Sequence, residues 1–122
     1  MQKVVITGHD LTVDQIIAVC REGAEVVLSD ESREKILASR QVVNELVEER
    51  KVVYGITTGF GKFSDVVISQ DECKLLQKNL IITHAVGAGD PFKEDIARGI
   101  LLLRVNSLSN GFSGICLETV ET

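Results

Sequence analysis

Tryptophan is absent from these 122 residues, proline and tyrosine occur once each, and there are only four phenylalanines. A core built from this chain must therefore be aliphatic, made of Val, Ile and Leu. No apolar run approaches the ~20 residues needed to span a bilayer. Met1 to Gly8 carries too little apolar content for a secretory signal, so a cytoplasmic location with no membrane partner is expected. Cationic clusters are missing as well. The formal charge is −5, and the basic residues stand among acids, as in Asp30-Glu31-Ser32-Arg33-Glu34-Lys35. Such mixing reads as a solvated helix face and argues against nucleic acid, which is held by clustered Lys and Arg. The three cysteines, Cys20, Cys73 and Cys116, are too few and too scattered for a disulfide framework or a metal-ligand spacing. Each sits among apolar neighbours as a small buried hydrophobe, and no metal site is expected.

The composition that remains, 44% hydrophobic and 25% charged, is that of an ordinary globular domain. The length suits one domain over residues 1–122. Lys3 to Ile6 and Glu25 to Leu28 are short β-prone runs. Between them, Thr12 and Gln15 have capping-box spacing, so a helix should run to Arg21 and stop at Gly23, with Ile16, Val19 and Cys20 inward. Ser29 should cap a long helix carrying Ile36, Val43, Leu46 and Val47 at helical spacing. Ser69 with Glu72 opens another, through Leu76, Leu80 and Ile81 to His84. Asp90-Pro91 has the chemistry of a further helix start, with Ile96, Ile100 and Leu103 on its inner side and an end near Asn110-Gly111. A last helix should begin at Ser113 and still be in progress at Thr122, as in a piece of a longer chain. The fold class is mainly α, with a few short strands near the N-terminus.

The segment from Val52 to Ser64 breaks this pattern. Gly55, Gly59 and Gly61 weaken any helix or strand there. A phosphate loop is excluded by count, because Ile56 stands where its first Gly belongs and Phe63 where its hydroxyl residue belongs. The dinucleotide fingerprint fails at Ser64. Two titratable groups are left as candidates. Tyr54 fits either a half-buried aromatic anchor for the loop or an acid–base group, the latter only where its surroundings tune it. His84 fits either a satisfied, buried imidazole or a catalytic one. Residue types alone do not bring the two together.

The string from Tyr54 through Gly55-Ile56-Thr57-Thr58-Gly59-Phe60-Gly61-Lys62-Phe63-Ser64 to Asp65 resembles the signature loop of histidine ammonia-lyases and their aromatic amino-acid relatives. The resemblance continues in Leu76 to Ala85, Leu102 to Asn106, Gly111 to Gly114 and Glu118 to Thr122. It extends to Leu11-Thr12 and Ala38-Ser39-Arg40, and so covers nearly the whole chain in order.

The resemblance implies the N-terminal portion of the multihelical ammonia-lyase fold, in an enzyme that removes ammonia from L-histidine to give urocanate. It makes Tyr54 the catalytic phenol on a mobile loop, His84 and Thr83 substrate-binding residues, and Gly55, Gly59 and Gly61 the hinges. Lys62 and Phe63 would be loop packing and surface. It also implies a homotetramer and a methylidene-imidazolone prosthetic group, formed from Ala-Ser-Gly. This chain contains no Ala-Ser-Gly; its nearest strings are Ala38-Ser39-Arg40 and Phe112-Ser113-Gly114. In the family the tripeptide lies a short distance beyond Thr122, so the piece alone is expected to be inactive. Thr83-His84 resembles the Ser-His pair of histidine-selective members and, with Lys62-Phe63-Ser64-Asp65, favours histidine as substrate. Thr57 pulls the other way, toward phenylalanine and tyrosine lyases or aminomutases, since histidine enzymes commonly carry Asn there. A non-catalytic binding or interaction module is the alternative from another class.

Overall fold

Along Lys3–Ile6 the side chains alternate between solvent and core, and the inward pair, Val4 and Ile6, is 1% exposed at each position. This is strand β1, and it runs parallel to β2, Glu25–Leu28, with Lys3 opposite Glu25 and Ile6 opposite Leu28. Parallel neighbours need a crossover, which helix α1, Val13–Glu22, supplies. The computed structural model describes residues 2–59, 61–63, 66 and 68–122, apart from the side chains of Phe63, Gln70, Asp71 and Cys73.

Local signals set most helix ends where the sequence puts them. In α1 the Thr12 hydroxyl accepts from the Gln15 N–H, the Gln15 side chain accepts from the Thr12 N–H, and Gly23 closes the helix at φ +73°. Helix α2, Asp30–Glu48, starts behind Ser29, whose hydroxyl accepts from the Ser32 N–H at 3.1 Å. Helix α3, Gln70–His84, starts with the second capping box, Ser69 with Glu72. Helices α4, Glu94–Leu108, and α5, Leu117–Glu121, follow. The mainly helical class with two short N-terminal strands is therefore the architecture observed.

Three expectations need correction. Helix α4 begins at Glu94, behind Lys93, and not at Asp90-Pro91; its acidic first turn, Glu94 and Asp95, complements the helix dipole without a side-chain cap. Its inner face is also different, because Ile96, Ile100 and Leu103 are 46%, 51% and 52% exposed while Leu102 is 4% exposed. Helix α4 is apolar on more than one side, and the seam that packs runs through Gly99 and Leu102, where Gly99 lets the Cys20 sulfur of α1 approach. The last helix starts at Leu117 and not at Ser113, since Ser113 lies at a bend and Gly114 takes a φ of +66°, in an irregular connection. Of the cysteines, Cys20 is buried and Cys116 half-buried, while the side chain of Cys73 lies outside the described residues.

The chain forms two compact units, Met1–Gln41 with Pro91–Thr122, and Val42–Asp90. The first holds the aliphatic core of Val4, Ile6, Val19 and Leu102, with Leu11, Ile16, Leu28 and Val105 packed against it. Burying each such side chain contributes roughly 1.5–3 kcal/mol, so this small cluster holds sheet, α1 and α4 together. The second unit holds the glycine loop and α3. No helix among the described residues is long and apolar enough to cross a membrane.

Candidate active site

The glycine loop of the second unit is built on two adjacent threonines. Thr57 and Thr58 are 5% and 2% exposed, whereas Tyr54, three positions before Thr57, is 63% exposed. The Thr57 hydroxyl donates to the Lys51 carbonyl and accepts from the Val53 N–H at 2.9 Å. The Thr58 hydroxyl accepts from the Gly55 N–H at 3.3 Å and donates to the Gly59 carbonyl. Gly55 and Gly61 adopt φ of +71° and +57°, the left-handed region that favours glycine. Two backbone bonds, from Gly59 N–H to Val66 and from Ile68 N–H to Thr57, then close the loop.

Helix α3 carries the other candidate group to the same unit. At its start the Ser69 hydroxyl and N–H both donate to the Glu72 carboxylate, at 2.6 and 3.2 Å, and hold that carboxyl below its usual range. At its end, Nδ1 of His84 lies 2.9 Å from the Leu80 carbonyl oxygen. A carbonyl oxygen can only accept, so this bond places the ring hydrogen on Nδ1 and leaves Nε2 of a neutral imidazole as an acceptor. The Thr83 hydroxyl donates to the Asn79 carbonyl at 2.8 Å and lies 3.2 Å from His84 Nδ1.

Loop and helix end enclose an open cavity of about 870 Å³. Gly59 and Gly61 line it from the loop, Val66 and Ile68 from the return of the chain, and Leu76, Leu80, Ile81 and His84 from α3. One imidazole on an apolar wall, at a volume within the range of small-molecule sites, is the form of a ligand pocket. The structure brings His84, Gly59 and Gly61 together at this cavity. Tyr54 and Thr83 are not in its lining, and Thr83 has committed its proton to the helix backbone. Lys62 is exposed; Phe60, Ser64 and Asp65 of the same loop, and the Phe63 side chain, lie outside the described residues.

The sequence did not reveal what the two threonines or the Leu80 carbonyl do. Thr57 stood out only as a substrate discriminator, and the one available signal was its spacing from Val53, four residues apart across a glycine turn.

Residues 11–122 match the model of the aromatic amino acid lyase family. The chain belongs to the aromatic amino acid lyase family. It is 57% identical, over all of its length, to a histidine ammonia-lyase of Caldanaerobacter subterraneus, of which it covers 24%. Among solved structures it is similar to the histidine ammonia-lyase from Trypanosoma cruzi, at 42% identity and a TM-score of 0.90, over 98% of this chain and 23% of that one. The ergothionase from Treponema denticola, an ergothioneine-degrading enzyme, is similar at 28% identity and a TM-score of 0.91, over 98% and 24%. This lyase chain thus spans about a quarter of the length of the relatives it matches.

The two strings nearest to the lyase tripeptide turn out to be structural partners. The Gly114 N–H donates to the Ser39 hydroxyl at 2.9 Å, and the Arg40 guanidinium donates to the Gly114 carbonyl at 3.2 Å. Both serve to anchor the connection that leads into α5.

Proposed function

We propose that this chain is the N-terminal part of a histidine ammonia-lyase, a cytoplasmic enzyme of histidine degradation that converts L-histidine to urocanate and ammonia. The observation that carries the reading is the 57% identity to a histidine ammonia-lyase over the full chain. The imidazole of His84 on the cavity wall supports histidine as the substrate.

In the elimination a proton leaves the β-carbon, the electrons of that bond form the new double bond, and the amino group departs as ammonia. Tyr54, exposed on its loop, takes part in the proton transfer. His84 offers Nε2 to an N–H of the substrate, while the Thr83 hydroxyl, 3.2 Å from Nδ1, supports the ring. Gly55, Gly59 and Gly61 let the loop close over the substrate and exclude water.

The residues of this chain do not fit the methylidene-imidazolone group. The Ala-Ser-Gly precursor is absent, and the nearest strings are bonded to each other through Ser39 and Gly114. These 122 residues are inactive by themselves. The working assembly is a homotetramer. Exposed Leu75, Ile81 and Ile82 on α3, and Ile100, Leu101 and Leu103 on α4, are the kind of apolar surface that further protein covers.

Thr57 favours a second reading, a phenylalanine or tyrosine lyase or aminomutase. Product identity separates the two. The full-length protein, given L-histidine, L-phenylalanine and L-tyrosine in turn, should release urocanate from the first. Cinnamate or coumarate in its place would favour the second reading.

A further inference from the structure

We infer that Thr57 is a positioning residue for Tyr54 and acts on the loop backbone, not on the substrate. The inference rests on the reading of Tyr54 as the catalytic phenol.

A hydroxyl has one proton to give, and Thr57 gives its proton to the Lys51 carbonyl. The same oxygen accepts the Val53 N–H at 2.9 Å, and the Thr57 N–H in turn donates to the Val53 carbonyl at 3.0 Å. Both backbone polar groups of the residue before Tyr54 are therefore tied to Thr57. The residue after it, Gly55, is tied through its N–H to Thr58. An exposed phenol thus projects from a short turn whose two neighbouring residues are held by buried hydroxyls. With Thr57 at 5% exposure, the hydroxyl has neither a proton nor an open face for an amino acid. Its effect on catalysis passes through where Tyr54 is held, so it should be read in kcat and not in substrate choice. Misplacement of a reacting group by about 1 Å costs on the order of a hundredfold in rate.

The test uses the full-length enzyme with L-histidine and L-phenylalanine as substrates. Thr57→Val keeps the shape and removes the hydroxyl. It should lower kcat by roughly ten- to hundredfold with little change in KM, and Thr57→Ser should restore it. In a Tyr54→Phe background, Thr57→Val should add no further loss, because the group it positions is already gone. General damage to the fold would instead lower the residual rate again. Thr57→Asn, whose amide can both donate to Lys51 and accept from Val53, should keep kcat and the preference for histidine, and it carries the test if Thr57→Val does not fold. A normal kcat in Thr57→Val, an equal loss in the Tyr54→Phe background, or a shift of preference between histidine and phenylalanine in either direction in Thr57→Asn would each overturn the inference. If Tyr54→Phe itself turns over normally, the reading beneath it fails first. If Tyr54→Phe is inactive and Thr57→Val is normal, only the role of Thr57 falls.

Discussion

Nδ1 of His84 and the carbonyl oxygen of Leu80, one helical turn earlier, lie 2.9 Å apart. The bond reaches back to a carbonyl that the Thr83 hydroxyl also contacts at 3.2 Å, and it fixes which ring nitrogen carries the hydrogen. It turns an exposed helix-end histidine into an oriented acceptor on an apolar wall.

Replacing that acceptor should weaken histidine binding more than it slows chemistry. We expect His84→Leu in the full-length enzyme to raise KM for histidine by roughly ten- to hundredfold, the equivalent of one hydrogen bond worth about 1–3 kcal/mol. Relative selectivity should move toward phenylalanine. Steady-state kinetics on both amino acids check this, and an unchanged KM would remove His84 from the binding site.

The two capping boxes should differ in pH dependence. Thr12→Ala removes a neutral cap and should cost about 1 kcal/mol at any pH, read from a denaturation midpoint. Glu72 is different because Ser69 holds its carboxyl below the ordinary value of 4.5. A depressed carboxylate contributes stability that is present above its unfolded value and lost as pH falls through the folded one. Hydrogen exchange of the first-turn amides of α3 should therefore quicken, relative to other helix starts, as pH drops below that ordinary value. In Glu72→Gln this extra acid sensitivity should vanish.

Gly111 and Gly23 have nearly the same backbone angle, φ +72° and +73°, in very different surroundings. A Cβ at Gly111 would stand 2.6 Å from the Lys35 carbonyl oxygen, whereas at Gly23 nothing lies within 4 Å. Gly23→Ala should cost only the left-handed penalty, about 1–2 kcal/mol. Gly111→Ala adds a clash with rigid backbone and should cost about 2–4 kcal/mol. Urea midpoints of the two variants compare them directly; equal losses would contradict the packing around Gly111.

What could be read in the sequence was local. Thr12 with Gln15, Ser69 with Glu72, and Gly23 after α1 are decided within a few residues, and each is found as the spacing implies. The face of α4 was not legible, because Ile96, Ile100 and Leu103 make as good a stripe as the one through Leu102. Packing against α1 at Gly99 selects between them. At the site, Tyr54 and His84 stood out by residue type and by the strings around them. The use of the Thr57 hydroxyl did not, since it depends on how the chain turns between Lys51 and Thr57. Nor did the hydrogen bond that orients His84, which depends on its ring reaching back to Leu80.

The most direct measurement is turnover of L-histidine by the full-length enzyme carrying Tyr54→Phe, with histidine binding followed on the same sample. The account predicts retained folding and binding, and a rate lower by roughly 10²–10⁴-fold, the usual contribution of a positioned acid–base group. Turnover near that of the parent enzyme would contradict it.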